Sequence, residues 1–217
     1  MLALPPMANP LPPLSAVQAR VLGTLVEKER TVPDTYPLSL NALVAGCNQK
    51  TSRSPVMEVT ETQAREALDD LKALHLVMET SGGRVTRYSH NLERVLQVPS
   101  QSAAILTVLM LRGPQTVGEL RINTERMHPF SDLSAVQGFL DELAARPAGA
   151  LVTELPRQPG SRETRWMHLL GGPPSAQTLA QVQAEKKAEP GLEARVSRLE
   201  QELRDLRETI ATLGRNS

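Results

Sequence analysis

Four histidines, His75, His90, His128 and His168, and one cysteine, Cys47, are the side chains in this 217-residue chain best suited to nucleophilic, acid–base or metal chemistry. Their placement points away from all three. The histidines are scattered, without the short, regular intervals of a metal site. His75 closes a predicted helix, where a cation suits the negative helix end. Cys47 falls on the apolar face of another predicted helix, the setting of a buried, inert thiol rather than a nucleophile. Neither GxGxxG nor GxxxxGK[ST] occurs, and the glycines at 82–83 and 171–172 mark turns. Most carboxylates stand opposite cations on helix surfaces. The expectation is a binding protein with no catalytic residue, metal or cofactor.

Recognition is the remaining chemistry, and one stretch carries it. Cys47 to Gln63 reads CNQKTSRSPVMEVTETQ, with amides, two cations and a run of hydroxyls, between two helical patterns. If the helix that follows lay in a major groove, Gln63 and Arg65 near its start would read base edges. Asn48 and Gln49 would add amides, Lys50 and Arg53 would sit on phosphates, and Arg84 and Arg87 would serve from a β-ribbon. Against this stand Glu58, Glu61, Glu66, Asp69 and Asp70, which would face phosphate. The connector is also about a dozen residues, where a helix-turn-helix turn takes 3–4. A structural reading fits equally well. Asn48 would stop its helix in the left-handed conformation, Lys50 and Arg53 would cover Glu58 and Glu61, and the hydroxyls would satisfy loop amides.

The elements that must position these residues follow from pattern. Ser15 caps a helix carrying Val17, Val21, Leu22 and Leu25 at helical spacing. LSLNALVAGC (38–47) gives a second helix, with Leu40, Leu43, Val44 and Cys47 on one face. Thr60 or Thr62 caps a third, buried through Ala64, Ala67, Leu68, Leu71 and Leu74. A strand, a Gly82-Gly83 turn and a second strand complete a hairpin. From residue 99 the order recurs. One helix ends at Gly113-Pro114; a second has Thr116 as cap and Glu119 at the capping-box position. A third is capped by Ser131, with Leu133, Val136, Leu140 and Leu143 inward, and strand, loop and strand follow. That third helix has only Arg146 at its end, beside Asp132, Asp141 and Glu142. Its ribbon, RQPGSRETRW, sets Arg157, Arg162 and Arg165 either on phosphate or in solvent, with Trp166 filling the core.

Three helices and a ribbon, twice, describe an α+β, mainly α fold of two tandem winged-helix (helix-turn-helix variant) domains. The predicted boundaries are an N-terminal arm over 1–13, domains over 14–98 and 99–172, and a linker over 173–190. A coiled-coil helix over 191–214 follows, with Leu192, Leu199, Leu206 and Leu213 at d and Val196, Leu203 and Ile210 at a. Arg195 faces Glu200 and Glu202 faces Arg207 across such a seam, so the pattern predicts a parallel homodimer.

Charge is balanced, with 24 cations and 24 anions, and each of the three segments is neutral on its own. Duplex-binding proteins usually carry a basic excess, so any basic face here must be made by folding. Five aromatic residues leave little for stacking single strands. No run approaches the roughly 20 apolar residues of a membrane span, the proline-rich start is a poor signal peptide, and one cysteine fits the cytoplasm. The leading function is a dimeric duplex-DNA-binding regulator, because the fold carries that prior, and the alternative is a protein-interaction scaffold whose winged helices do not bind DNA.

YPLSLNALVAGCNQKTSRSPVM (36–57), with the tandem arrangement and the terminal heptads, resembles the YceH family of bacterial cytoplasmic proteins. The likeness covers residues 14–170 and the tail, and CNQK-x-x-R-x-P-V is its most specific part. It implies two winged-helix domains and no particular activity. Ser54 departs from the family, which is acidic before the proline, so no role resting on a carboxylate there transfers.

Overall fold

The structure, a computed structural model, describes residues 11–81, 85–157 and 163–175. It is α+β and mainly helical. The elements are α1 (Ala16–Thr31), β1 (Leu38–Ser39), α2 (Leu40–Cys47), α3 (Glu61–Ala73), β2 (Val77–Thr80) and β3 (Arg87–His90), then α4 (Leu92–Leu96), α5 (Ser100–Arg112), α6 (Val117–Thr124), α7 (Leu133–Ala144), β4 (Val152–Glu154) and β5 (Trp166–His168).

Side-chain caps fix where the helices start. Ser15 Oγ accepts the Gln18 amide at 3.2 Å and Gln18 Oε1 accepts the Ser15 amide at 2.7 Å, a reciprocal capping box. Thr60 with Gln63 and Thr116 with Glu119 repeat the device on α3 and α6. Two predicted starts move. Leu38 and Ser39 are strand, pairing with Tyr88 and Arg87 of β3, and Ser39 caps α2 from there. The cap of α7 is Asp132, not Ser131; its carboxylate takes the Ala135 amide at 2.8 Å, and an ionised acceptor suits a helix N-terminus better than a hydroxyl. The short α4 was not expected from pattern, since five residues show little periodicity.

The two halves share strand topology as well as element order. In the first, β1 lies between α1 and α2 in sequence and pairs with β3, which also pairs with β2. In the second, Gln115 lies between α5 and α6 and bridges Trp166 of β5, which pairs with β4. The third strand has shrunk to one bridge.

The described residues up to Pro174 belong to one compact unit; Ser175 begins a second, whose other residues, including every heptad position from Leu192 to Leu213, lie outside the described ones. α1 and α5, the first helices of the two halves, form the seam. Each is buried all round, from Ala19 to Val26 and from Ser102 to Leu111, because each packs on its own half and on the other helix. They pack tightly at Gly23, where a Cβ would meet Leu111 Cγ and Cδ2 at 3.1 Å and Met110 Cβ at 3.3 Å. The core accordingly runs without a break from Leu22, Leu43 and Leu71 to Leu106, Leu120 and Leu140. The predicted boundary at 98/99 falls on the joint between α4 and α5.

Trp166 fills the second half's core, and two residues on, His168 sits with Nδ1 enclosed and unpaired. Burial pulls its imidazole down to about 4. Folding therefore favours the neutral ring. That stabilisation is complete above the unfolded pKa of about 6.5 and is lost as pH falls from there towards 4. His168 is only partly buried by surface area, so taking pH from 7 to 4.5 should lower unfolding free energy by at most about 2 kcal/mol through this residue. His168→Phe, followed by urea midpoints across that range, should flatten the slope. An unchanged slope would assign the acid sensitivity elsewhere.

Candidate functional site

The connector between α2 and α3 is tied inward through Asn48, Gln49, Ser52, Arg53 and the Ser54 amide, while Lys50, Thr51 and Glu58 are exposed. Asn48 follows α2 with φ −92°, not left-handed. Its amide instead grips the far end of the loop: Nδ2 donates to Val59 O at 2.9 Å, and Oδ1 accepts the Val59 amide at 2.7 Å. One side chain thus closes the segment as a strand partner would.

Arg53 is the centre. Its side chain is 0 % exposed and it forks onto Glu27 of α1, Nη1 to Oε1 at 3.1 Å and Nη2 to Oε2 at 2.6 Å. It also donates to Gly46 O at 2.8 Å, Ser52 O at 2.8 Å and Gln49 Oε1 at 3.1 Å. Gln49 Oε1 accepts from Lys28 Nζ as well, at 3.3 Å. Arg20, also buried, reaches Cys47 O at 3.1 Å and Pro55 O at 2.7 Å. Two further bonds join the loop to the second half: the Ser54 amide donates to Leu111 O at 2.9 Å, and Arg112 Nη2 to Ser52 Oγ at 2.7 Å. Gly46 permits the crowding, since a Cβ there would stand 2.7 Å from Thr24 Cγ2.

Electrostatics agree with the geometry. Burial alone would push the Glu27 carboxyl up, but Arg53's hydrogen bonds and charge, with Lys28, hold it below the usual carboxylate range. Burial raises the Cys47 thiol, whose nearest polar partner is Thr24 Oγ1 at 3.6 Å. That is an unreactive setting. His90 is fully engaged too. The Leu92 amide donates to Nδ1, so Nε2 carries the proton and meets Glu29 Oε2 at 2.8 Å.

The residues expected to touch a partner therefore divide. Gln49 and Arg53 converge on α1 and α2 while Asn48 closes the loop on Val59; Arg53 covers Glu27, not Glu58 or Glu61. Lys50 is exposed. On α3, Gln63 Oε1 is spent on the Thr60 amide at 3.0 Å, while Arg65 is exposed and 4.0 Å from Glu61. Arg87 is exposed and donates to Pro37 O at 2.7 Å. Arg84 and Arg162 lie outside the described residues. In the second ribbon Arg165 turns back to grip Glu119 at 2.8 and 3.0 Å. Sequence reasoning missed Arg20, Thr24 and Glu27, yet their spacing of four and three residues marks a polar stripe down one face of an otherwise apolar helix. That stripe was the available signal.

A family model described as "Protein of unknown function, DUF480" matches residues 14–161, the span that contains this network. The chain belongs to the DUF480 family. The resemblance carried by residues 36–57 pointed to the same place. A UPF0502 protein of Dechloromonas aromatica (strain RCB) is 59% identical over 204 residues, 93% of this chain and 96% of the relative. One from Acidovorax sp. (strain JS42) is 57% identical over 209 residues, 93% and 92%. A third, from Methylibium petroleiphilum, is 63% identical over 167 residues, 77% and 71%. Among the described residues of this DUF480 chain, no helix is long and apolar enough to cross a membrane.

Proposed function

We propose that the chain is a non-enzymatic protein-interaction module, in which two winged-helix units present their third helices to another protein rather than to duplex DNA. One observation carries this reading. In a winged helix that reads DNA, the third helix enters the major groove between two rows of phosphates. Here α3 exposes Glu61, Glu66, Asp69 and Asp70 against Arg65 and a partly exposed Lys72 that is shared by Asp69 and Glu79, and α7 carries Asp141 and Glu142 with no lysine or arginine. Both would meet phosphate with like charge. The nearby cations that might offset α3, Arg20, Lys28 and Arg53, are turned inward. The engaged ring of His90 and the buried thiol of Cys47 support the non-enzymatic part, and the buried thiol suits the cytoplasm.

The second reading is a duplex-DNA-binding regulator. It is favoured by the recurring three-helix-and-ribbon order, with Lys50, Arg65 and Arg87 exposed on the first half. Titration against a random duplex at low salt separates the two. The protein-interaction reading expects no saturable binding up to about 10⁻⁴ M, the weak end of ordinary non-specific affinity. Tighter binding that weakens steeply with salt would replace it with the regulator.

The leucine and valine positions 192–213 make the chain a homodimer in this proposal. Sedimentation of the full chain and of a chain lacking residues 191–217 should give a dimer and a monomer. An unchanged mass would place self-association elsewhere.

A further inference from the structure

The connector stands over an excess of positive charge. Arg20, Lys28, Arg53 and Arg112 gather around it, and among the described residues Glu27 is the only carboxylate that acts on Arg20 and Arg112. Glu27 is already shared by Arg53 and Lys28, at 2.6 and 3.3 Å. Arg20 is 2 % exposed, binds only carbonyls, and leaves its Nε without a partner. The C-terminal ends of α2 and α5 offset about half a charge each, so among the described residues roughly two positive charges are left without a counter-charge. Buried charge is costly unless a counter-charge is at hand.

The outer edge of the cluster faces solvent. Arg112 closes α5, and among the described residues its side chain bonds only Ser52 Oγ, at 2.7 Å. Burial lowers its affinity for its proton, with Glu27 acting against this and Arg53 adding to it. Ser52 itself has φ 61°, a left-handed conformation uncommon for a non-glycine residue. Gln49 gives its oxygen to Lys28 and Arg53, which turns its amide nitrogen away from them, and Lys50 is exposed next to it.

We propose that Gln49, Lys50, Ser52 and Arg112 form a binding site for a compact dianionic oxyanion, a phosphate monoester or free phosphate. A guanidinium binds such an oxyanion with two parallel N–H···O bonds. Two negative charges match the excess beneath the loop, which a phosphodiester, with one, does not. The site does not depend on the acidic faces of α3 and α7, so it stands or falls separately from the protein-interaction reading.

The test uses the full chain with inorganic phosphate, phenyl phosphate, dimethyl phosphate and a phosphoserine peptide, each against chloride at matched ionic strength. Phosphate should raise Tm beyond the chloride control and shift the amide resonances of Gln49 and Ser52. Dianionic phenyl phosphate should bind at least ~10-fold more tightly than monoanionic dimethyl phosphate, and Arg112→Gln should weaken phosphate by ~10-fold or more. A peptide tighter than inorganic phosphate identifies a phosphopeptide as the source; equal affinity identifies free phosphate. Both support the site. A phosphate effect no larger than chloride, no preference for the dianion, or a folded Arg112→Gln that responds like the parent overturns it.

Discussion

Replacing Arg53 with methionine should destabilise the chain by about 3–5 kcal/mol, the usual cost of removing one partner from a buried ion pair. The side chain is 0 % exposed and its fork is matched to Glu27, which is 15 % exposed and has little water to turn to. Gly46 O and Ser52 O also lose their side-chain donor. Removing both charges should hurt less than the single change: Arg53→Met with Glu27→Leu should recover a large part of the loss, because no charge is then buried alone. Urea unfolding of the four chains measures the cycle. Since the Glu27 carboxyl is held below its ordinary range, the pair's contribution is fully present above that range and is lost as pH falls from it through the lower folded value, a lower window than that of His168. A loss under about 1 kcal/mol for Arg53→Met would match an exposed pair and contradict the burial.

The next largest effect is expected at the seam. Gly23→Leu should cost about 3 kcal/mol, the upper end for overpacking a filled interior, since four carbons would enter where even a Cβ meets Leu111 at 3.1 Å. Gly23→Ala is the instructive control. Helix propensity favours alanine by about 1 kcal/mol, while Leu111 and Met110 must give by a few tenths of an ångström, so the two terms nearly cancel. Thermal unfolding of both variants reads this out. A harmless Gly23→Leu would mean that α1 and α5 do not meet there.

Helices and ribbons were legible because their signals are local. Ser15, Thr60 and Thr116 carry their own capping partners three residues on, and apolar residues recur at helical period. The two-residue β1 was not, since Leu38 and Ser39 gain strand character only from Tyr88 and Arg87, about fifty residues away. The loop failed for the same reason. Lys50 and Arg53 look alike as surface cations, and only the approach of α1 separates an exposed lysine from an enclosed arginine. Asn48 likewise binds Val59, eleven residues on, where local rules offered a helix stop. Periodicity gave α1 one buried stripe; its all-round burial comes from α5, whose position no local pattern encodes.

Native-state hydrogen exchange on Arg53→Met tests most directly whether this connector ties the two halves together rather than merely folding back on the first. Ser54 and Ser52 bond to Leu111 and Arg112, so loosening the loop should reach α5. The account predicts that protection falls by the same free energy in α1, α3 and α5. Loss confined to α1–α3, with α5 amides as slow as in the parent, would contradict it.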